Sequence, residues 1–294
     1  MKRLSIIIVT YKSENDIYDC LSSVWENCDL KHEELEIIVV DNSPDSTLMF
    51  SQLRERYGRN VMLIKNTHNG GYGQGNNVGI RQATAPVIMI MNPDVRLMEP
   101  ILKTVVQAFE QDDSLCMYGI KQMLSAHKKS PLSYDCSYCM NGYLASLLTP
   151  ICNRINFFIP KYMYFSGSCF FISKNKFEQV GLFDESIFMY GEEDDIHWRM
   201  KQHYGPQFVF NSKLHYIHLA KGHAPSLQTE KAMLKSIVSV NKKKGIPVEK
   251  TIHNRLRSIR VRNAWLSIRG WLGRKDQEQQ VTLIELMNYM KHKI

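Results

Sequence analysis

Residues 88–94, Ile-Met-Ile-Met-Asn-Pro-Asp, constrain the fold most, because an apolar run ends abruptly there in a carboxylate. Ala85-Pro86 precede it, and residues 87–91 have the length and composition of a fully buried strand. Pro93 lacks the N–H that further pairing would need. Asp94 is thus placed at a strand's carboxyl end. In open α/β sheets that edge binds ligands, and a carboxylate there can hold a divalent metal on a diphosphate. The alternative is that Asp94 caps a turn before a helix starting near Glu99 and Pro100.

The same pattern recurs along the chain. Residues 4–9, Leu-Ser-Ile-Ile-Ile-Val, predict a buried strand opening into Thr10, Tyr11 and Lys12. Ser13 with Asp16 has the spacing of a capping box, and Ile17, Leu21, Val24 and Cys28 share one helical face. Residues 35–40 repeat the strand signal and deliver Asp41 to the same kind of edge. Residues 61–65 predict a third strand, followed by the glycine-rich residues 69–79. That stretch fails GxGxxG, since the last position is Asn76 counted from Gly71 and Val78 counted from Gly73. It also lacks a P-loop ending, so a nicotinamide dehydrogenase or an NTPase loses its main support. Glycines at this density permit close backbone approach to a nucleotide sugar. They equally suit a plain turn into a helix around residues 76–83.

Ile101, Leu102, Val105, Val106 and Phe109 mark the inner face of a further helix, and a strand follows near residues 115–120. Strands alternating with helices imply a mostly parallel sheet. Residues 121–164 read as irregular, 166–172 as a strand, 174–180 as a short helix and 181–185 as a turn. A helix then opens on Glu192, Glu193, Asp194 and Asp195. The macrodipole favours acids in a first turn, but four cannot all be capping. At about 100° per residue, Glu192, Asp195 and Arg199 share one face, whereas Glu193 lies on another with His197. One acid can be tied down while its neighbour stays free to accept a proton. Residues 208–210 and 214–217 read as two short strands leading to His218. At a strand end that histidine also reads as a hydrogen-bonded structural residue.

Composition divides the chain in two. The hydrophobic fraction of 44% over 294 residues suits one large domain with an appendage. Residues 225–294 carry 15 Lys and Arg against 5 Asp and Glu, a net of +10, leaving 22 against 24, a net of −2, for residues 1–224. A basic tail meets the phosphates of nucleic acid or of a membrane surface, or is a solvated face. It carries no zinc-finger pattern or other nucleic-acid module, so nucleic acid is not an expected partner. No apolar run reaches about 18 residues, and only Met1, Lys2 and Arg3 precede the first strand. A cytoplasmic protein without membrane span or signal peptide is expected. Seven irregularly spaced cysteines, with one CxxC at Cys136 and Cys139, read as free thiols.

Taken together, the motifs resemble a family 2 glycosyltransferase of the GT-A type, in particular its rhamnosyltransferase-like branch. The matching pieces are Ile8-Val9-Thr10-Tyr11, Val39-Val40-Asp41-Asn42-Ser43, Asn69-Gly70-Gly71-Tyr72-Gly73 with Asn76-Asn77-Val78-Gly79, and Met91-Asn92-Pro93-Asp94. Gly181-Leu182-Phe183-Asp184-Glu185 and Met189-Tyr190-Gly191-Glu192-Glu193-Asp194-Asp195 follow, in the family's order within residues 4–223. The resemblance implies an α/β, Rossmann-like GT-A fold with a mostly parallel sheet flanked by helices (1–224) and a basic helical extension (225–294).

It also implies a UDP- or dTDP-sugar donor held by Thr10, Tyr11, Asp41, Asn69, Gly70, Gly71, Asn76 and Asn92. Asp94 would be the carboxylate for Mg²⁺ or Mn²⁺, with His218 a further metal or diphosphate contact. The family's DXD element reads Asn92-Pro93-Asp94 here, which leaves one carboxylate. Glu193 takes the place of the base. Because the usual Glu-Asp pair reads Glu192-Glu193 followed by Asp194-Asp195, Asp194 is the other candidate. The implied reaction is displacement at the anomeric carbon with inversion, onto a hydroxyl of a glycan or lipid-linked saccharide in cell-surface polysaccharide synthesis. The competing reading is an inactive nucleotide-sugar-binding protein of the same fold. The joint presence of Asp41, Asp94, Glu193 and His218 favours an enzyme. Residues 250–275 are expected on the inner face of the cell membrane, with Trp265, Leu266, Ile268, Trp271 and Leu272 at the headgroup boundary. The alternative is that they pack against the catalytic domain or a second subunit.

Overall fold

The computed structural model describes residues 1–136, 142–219, 227–270 and 284–290. Four parallel strands, β1 (Leu4–Thr10), β2 (Leu35–Asp41), β3 (Met62–Lys65) and β4 (Val87–Met91), lie in the order β3-β2-β1-β4. Helices α1 (Glu14–Glu26), α2 (Thr47–Tyr57) and α3 (Gly71–Gln82) connect them. Each apolar run reads as continuous because both faces of the sheet are covered. Ile6, Ile8, Val39 and Met89 face α1, α2 and the later α4 (Leu102–Gln111). Ile7, Ile38, Val40, Ile88 and Ile90 point the other way, toward α3 and two later helices, α5 (Gly142–Ile155) and α6 (Lys174–Gln179). In this register Thr10 pairs with Asp41 and Asp41 with Lys65, so polar side chains reach one edge together.

The second half of the sheet is mixed. It comprises β5 (Val95–Leu97), β6 (Met117–Ser125), β7 (Lys128–Lys129), β10 (Cys169–Ser173) and β11 (Phe208–His218), while β8 (Tyr134–Cys136) and β9 (Met163–Phe165) form a separate pair. β10 runs antiparallel to β4 with Cys169 opposite Met91, so its first residues lie at the edge where β4 ends. The expected strand at 166–172 therefore starts only at Cys169. The two short strands expected at 208–210 and 214–217 are one strand, with a register shift between Asn211 and His215. Beyond that shift, His218 lies opposite Val95.

Two other expectations are corrected. Helix α3 begins at Gly71, so most of the glycine-rich stretch is helical rather than a loop. Residues 121–164 are not irregular throughout, since β6, β7, β8 and α5 occupy most of the described part. Buried polar residues hide that order from a periodicity reading. The Asn153 side chain donates to Tyr134 O and Thr149 O, both at 2.9 Å, and accepts from Ser133 N at 2.8 Å. Ser13 does precede α1, but its hydroxyl bonds to Tyr11 rather than capping the helix.

After α7 (Glu192–Tyr204) and β11, the extension begins with α8 (Leu227–Lys243) and α9 (Val248–Gly270). Leu234, Ile252, Leu256 and Ile259 form a small core there with Leu286 and Met290, and Arg255 donates to Glu230 at 2.9 Å. Trp271, Leu272, Cys139 and His223, and the side chains of Trp265, Leu266 and Ile268, lie outside the described residues. The other six cysteines are free thiols. Among the described residues, no helix is long and apolar enough to cross a membrane.

Candidate active site

The carboxyl ends of β1, β2 and β4 open on a cleft of 820 Å³ lined by Thr10, Tyr11, Lys12, Asn42, Asn69, Gly71, Tyr72, Asn92, Asp94, Phe188 and Met189, among others. Beside it, Asp41 is wholly buried. Its Oδ1 accepts from the hydroxyls of Thr10 and Ser43, both at 2.8 Å, while Oδ2 has no hydrogen-bond partner and stands 3.6 Å from Lys65 Nζ. Its orientation is therefore set by neighbouring strands, with one oxygen unspent.

The turn before α3 is held by amides. Asn69 Oδ1 accepts from Gly71 N at 3.1 Å, and Asn66 bridges Asn42 and Gln74. Gly71 has φ +92°, and a Cβ there would lie 1.9 Å from Phe188 O, so only glycine lets the 188 segment close over the turn. Tyr72 N donates to Phe188 O at 3.0 Å, and the Tyr72 hydroxyl donates to Gly167 O.

At the end of β4, Asn92 N donates to Ser168 O at 2.9 Å. Asp94 Oδ2 lies 3.2 Å from His218 Nε2, because β11 pairs with β5 at this point. Burial opposes ionisation of Asp94, but the hydrogen bond and charge of His218 outweigh it and hold the carboxyl below its usual pKa.

Helix α7 brings four acids to the same region, and each meets a different environment. Asp195 is held by Arg199 at 2.7 Å and by Lys243 at 3.1 Å, as the helical spacing predicts for the arginine. Asp194, the alternative base, is buried against Lys244 Nζ at 2.5 Å. Glu192 is buried with Oε1 unpartnered, and burial, then the charge of Glu193, push its pKa well above the usual range. Glu193 pairs with no Lys or Arg among the described residues and lies against Gly167, where a Cβ would come within 1.8 Å of its Oε1. Burial raises its pKa, hydrogen bonds from the backbone at Glu193 and Gly191 partly offset this, and the charge of Asp194 adds to it. The imidazole of His197 is structural: Nδ1 donates to Glu193 O at 2.7 Å, and Nε2 accepts from Phe165 N at 3.1 Å.

Residues 5–181 match the family described as Glycosyl transferase family 2. The chain belongs to that family. Among its family 2 relatives, it is 29% identical over 216 residues to the low-salt glycan biosynthesis hexosyltransferase Agl10 of Haloferax volcanii, covering 68% of this chain and 62% of Agl10. It is 26% identical over 237 residues to the rhamnosyltransferase WbbL of Escherichia coli, covering 72% of this chain and 83% of WbbL. Among solved structures, S. aureus TarS 1-349 in complex with UDP superposes with a TM-score of 0.56 at 18% identity, covering 90% and 72% of the two chains. The mannosyltransferase PcManGT from Pyrobaculum calidifontis, in complex with GDP-Man and Mn²⁺, gives 0.59 at 14%, covering 98% and 85%. These likenesses establish the GT-A fold.

In this family 2 chain, Thr10, Tyr11, Asn69, Gly71, Asn92 and Asp94 line one cleft. Asp41 stands just behind it through its bond to Thr10, and Gly70 lies between the lining residues Asn69 and Gly71. Asn76 is not brought in, because it is buried in α3 and donates to Tyr72 O at 2.9 Å. Lys12, Asn42, Tyr72 and Phe188 escaped the sequence reading. Tyr72 lay inside a quoted motif, but nothing in its spacing shows that its hydroxyl reaches Gly167.

Proposed function

We propose that the chain is an inverting glycosyltransferase that moves a sugar from a nucleotide diphosphate, a UDP- or dTDP-sugar, to a hydroxyl of a glycan or lipid-linked saccharide in cell-surface polysaccharide synthesis. The observation that carries this reading is the sorting of the acids on α7. Asp194 and Asp195 each meet lysine or arginine, whereas Glu193 has no such partner among the described residues and stands against Gly167, next to the Ser168 carbonyl that accepts from Asn92 N. A base must be free to gain a proton, so Glu193 is the base and Asp194 a structural anchor. Thr10, Asp41 and Asn69 hold the nucleoside side of the donor, and Lys12 faces its phosphates. The names of Agl10 and WbbL support a glycan product and a hexosyl or rhamnosyl donor.

Asp94 and His218 fit a divalent cation such as Mg²⁺ or Mn²⁺. Asp94 offers a carboxylate at the cleft with the His218 imidazole beside it, and phosphate oxygens and water can fill the other positions. When bound, the metal would neutralise charge on the departing diphosphate. Glu193 takes the proton of the acceptor hydroxyl, whose oxygen bonds to the anomeric carbon as the bond to the diphosphate breaks. The cationic extension would keep the enzyme peripheral on the inner face of the membrane, near a lipid-linked acceptor. The test is a screen of nucleotide sugars for hydrolysis with Mn²⁺ and with EDTA. Asp94→Ala should abolish turnover and weaken Mn²⁺ binding measured by calorimetry. Turnover near wild type in that variant would remove the metal role.

A further inference from the structure

We propose that the outward face of α5, together with the basic face of α9, docks on an anionic lipid bilayer. This deepens the membrane contact in the reading above and rests on it. Leu148, Ile151 and Ile155 stand at i, i+3 and i+7 on α5 and are 39%, 57% and 66% exposed. Phe157, just past the helix, is 53% exposed. The opposite face holds buried Thr149, Cys152 and Asn153, and the three bonds of the Asn153 amide prevent the helix from rolling to hide its stripe. Asn156, at φ +58°, ends the helix, and Phe157 N closes onto Cys152 O at 2.9 Å, which fixes the next residue at the end of the stripe.

Charge selects the occupant. Residues 136–177 include no Asp or Glu, and Arg154 and Lys161 are exposed there. Helix α5 packs on α9, which exposes Arg257 and Arg260 in an extension of net charge +10. A second copy seated two-fold on the same patch would set like charges against each other in a desolvated contact. An anionic bilayer meets both halves, with phosphates for the cations and the acyl boundary for Leu, Ile and Phe. Ile252, Leu256 and Ile259 of α9 cannot supply the apolar part, because they are buried in the extension's own core.

The test sediments the full chain, and an Ile151→Ser/Ile155→Ser variant, with vesicles of phosphatidylcholine alone or with about 30% phosphatidylglycerol. Salt is set at about 50 and about 500 mM. Wild type should pellet with anionic vesicles at low salt and little with neutral ones, and the variant should bind about tenfold or more weakly. Both positions are exposed, so melting and donor hydrolysis should be unchanged. Equal pelleting of the two proteins, or no pelleting by wild type, overturns the proposal. So does a wild-type dimer that the variant converts to monomer, which would assign the face to self-association. Vesicle binding in a protein that transfers no sugar would uphold the surface while sinking the transferase reading.

Discussion

Burial and the adjacent charge of Asp194 raise the pKa of Glu193, so its carboxyl keeps a proton to higher pH than a surface glutamate does. A base works only when ionised, and a raised pKa therefore moves the acid limb of the rate profile upward. The limb of kcat/KM should lie above the ordinary glutamate value of about 4.3 and vanish in Glu193→Gln. That variant keeps the size and hydrogen bonding of the side chain. It should lower kcat by about 10² or more while donor KM changes little, as read from initial rates across pH. A profile that survives the substitution would exclude Glu193 as the base.

The last residue of α8 and the first of the turn after it, two consecutive lysines, reach across to α7. Lys243 meets Asp184 and Asp195, while Lys244 is buried against Asp194. Ser236 also donates to Met189 O at 2.9 Å, tying α8 to the segment that lines the cleft. Removing Lys244 alone would take away the ammonium that meets the buried Asp194 carboxylate at 2.5 Å. Lys244→Met should therefore cost about 3–5 kcal/mol in urea unfolding, and adding Asp194→Asn should recover much of it. Full stability in the single variant would show that the pair contributes nothing net. The same contacts explain the sorting on α7, because the extension supplies a lysine to Asp194 and one to Asp195, but none to Glu193 among the described residues.

Over the whole molecule, the basic extension is continuous with the catalytic half rather than tethered to it. Truncation after residue 226 would expose α7 and remove the lysines that meet Asp194 and Asp195, so it should lower the melting temperature and abolish donor hydrolysis. Truncation after Gly270 keeps Lys243 and Lys244 but removes Leu286 and Met290 from the extension's small core, so it should lower the melting temperature less and keep donor hydrolysis. Identical melting of the two truncations would show that the catalytic half folds independently.

Period-two and continuous apolar patterns are local, so β1, β2 and β4 were legible from sequence, as was the delivery of Thr10, Asp41 and Asp94 to one edge. The pair of Asp195 with Arg199 was legible for the same reason, since i,i+4 spacing within one helix fixes it. Non-local pairing was not. That His218 meets Asp94 depends on a register shift in β11, and that Asp194 meets a cation depends on a lysine 50 residues on, just past the end of α8. Residues 121–164 looked irregular because Lys121, Gln122, Ser133 and Asn153 occupy buried positions, where their hydrogen bonds replace apolar packing. The sequence by itself therefore determined which acids stand at the strand ends and in the first turn of α7. Only the tertiary structure decided which of them meet lysines, because Lys243 and Lys244, which pair with Asp195 and Asp194, come from a distant part of the chain.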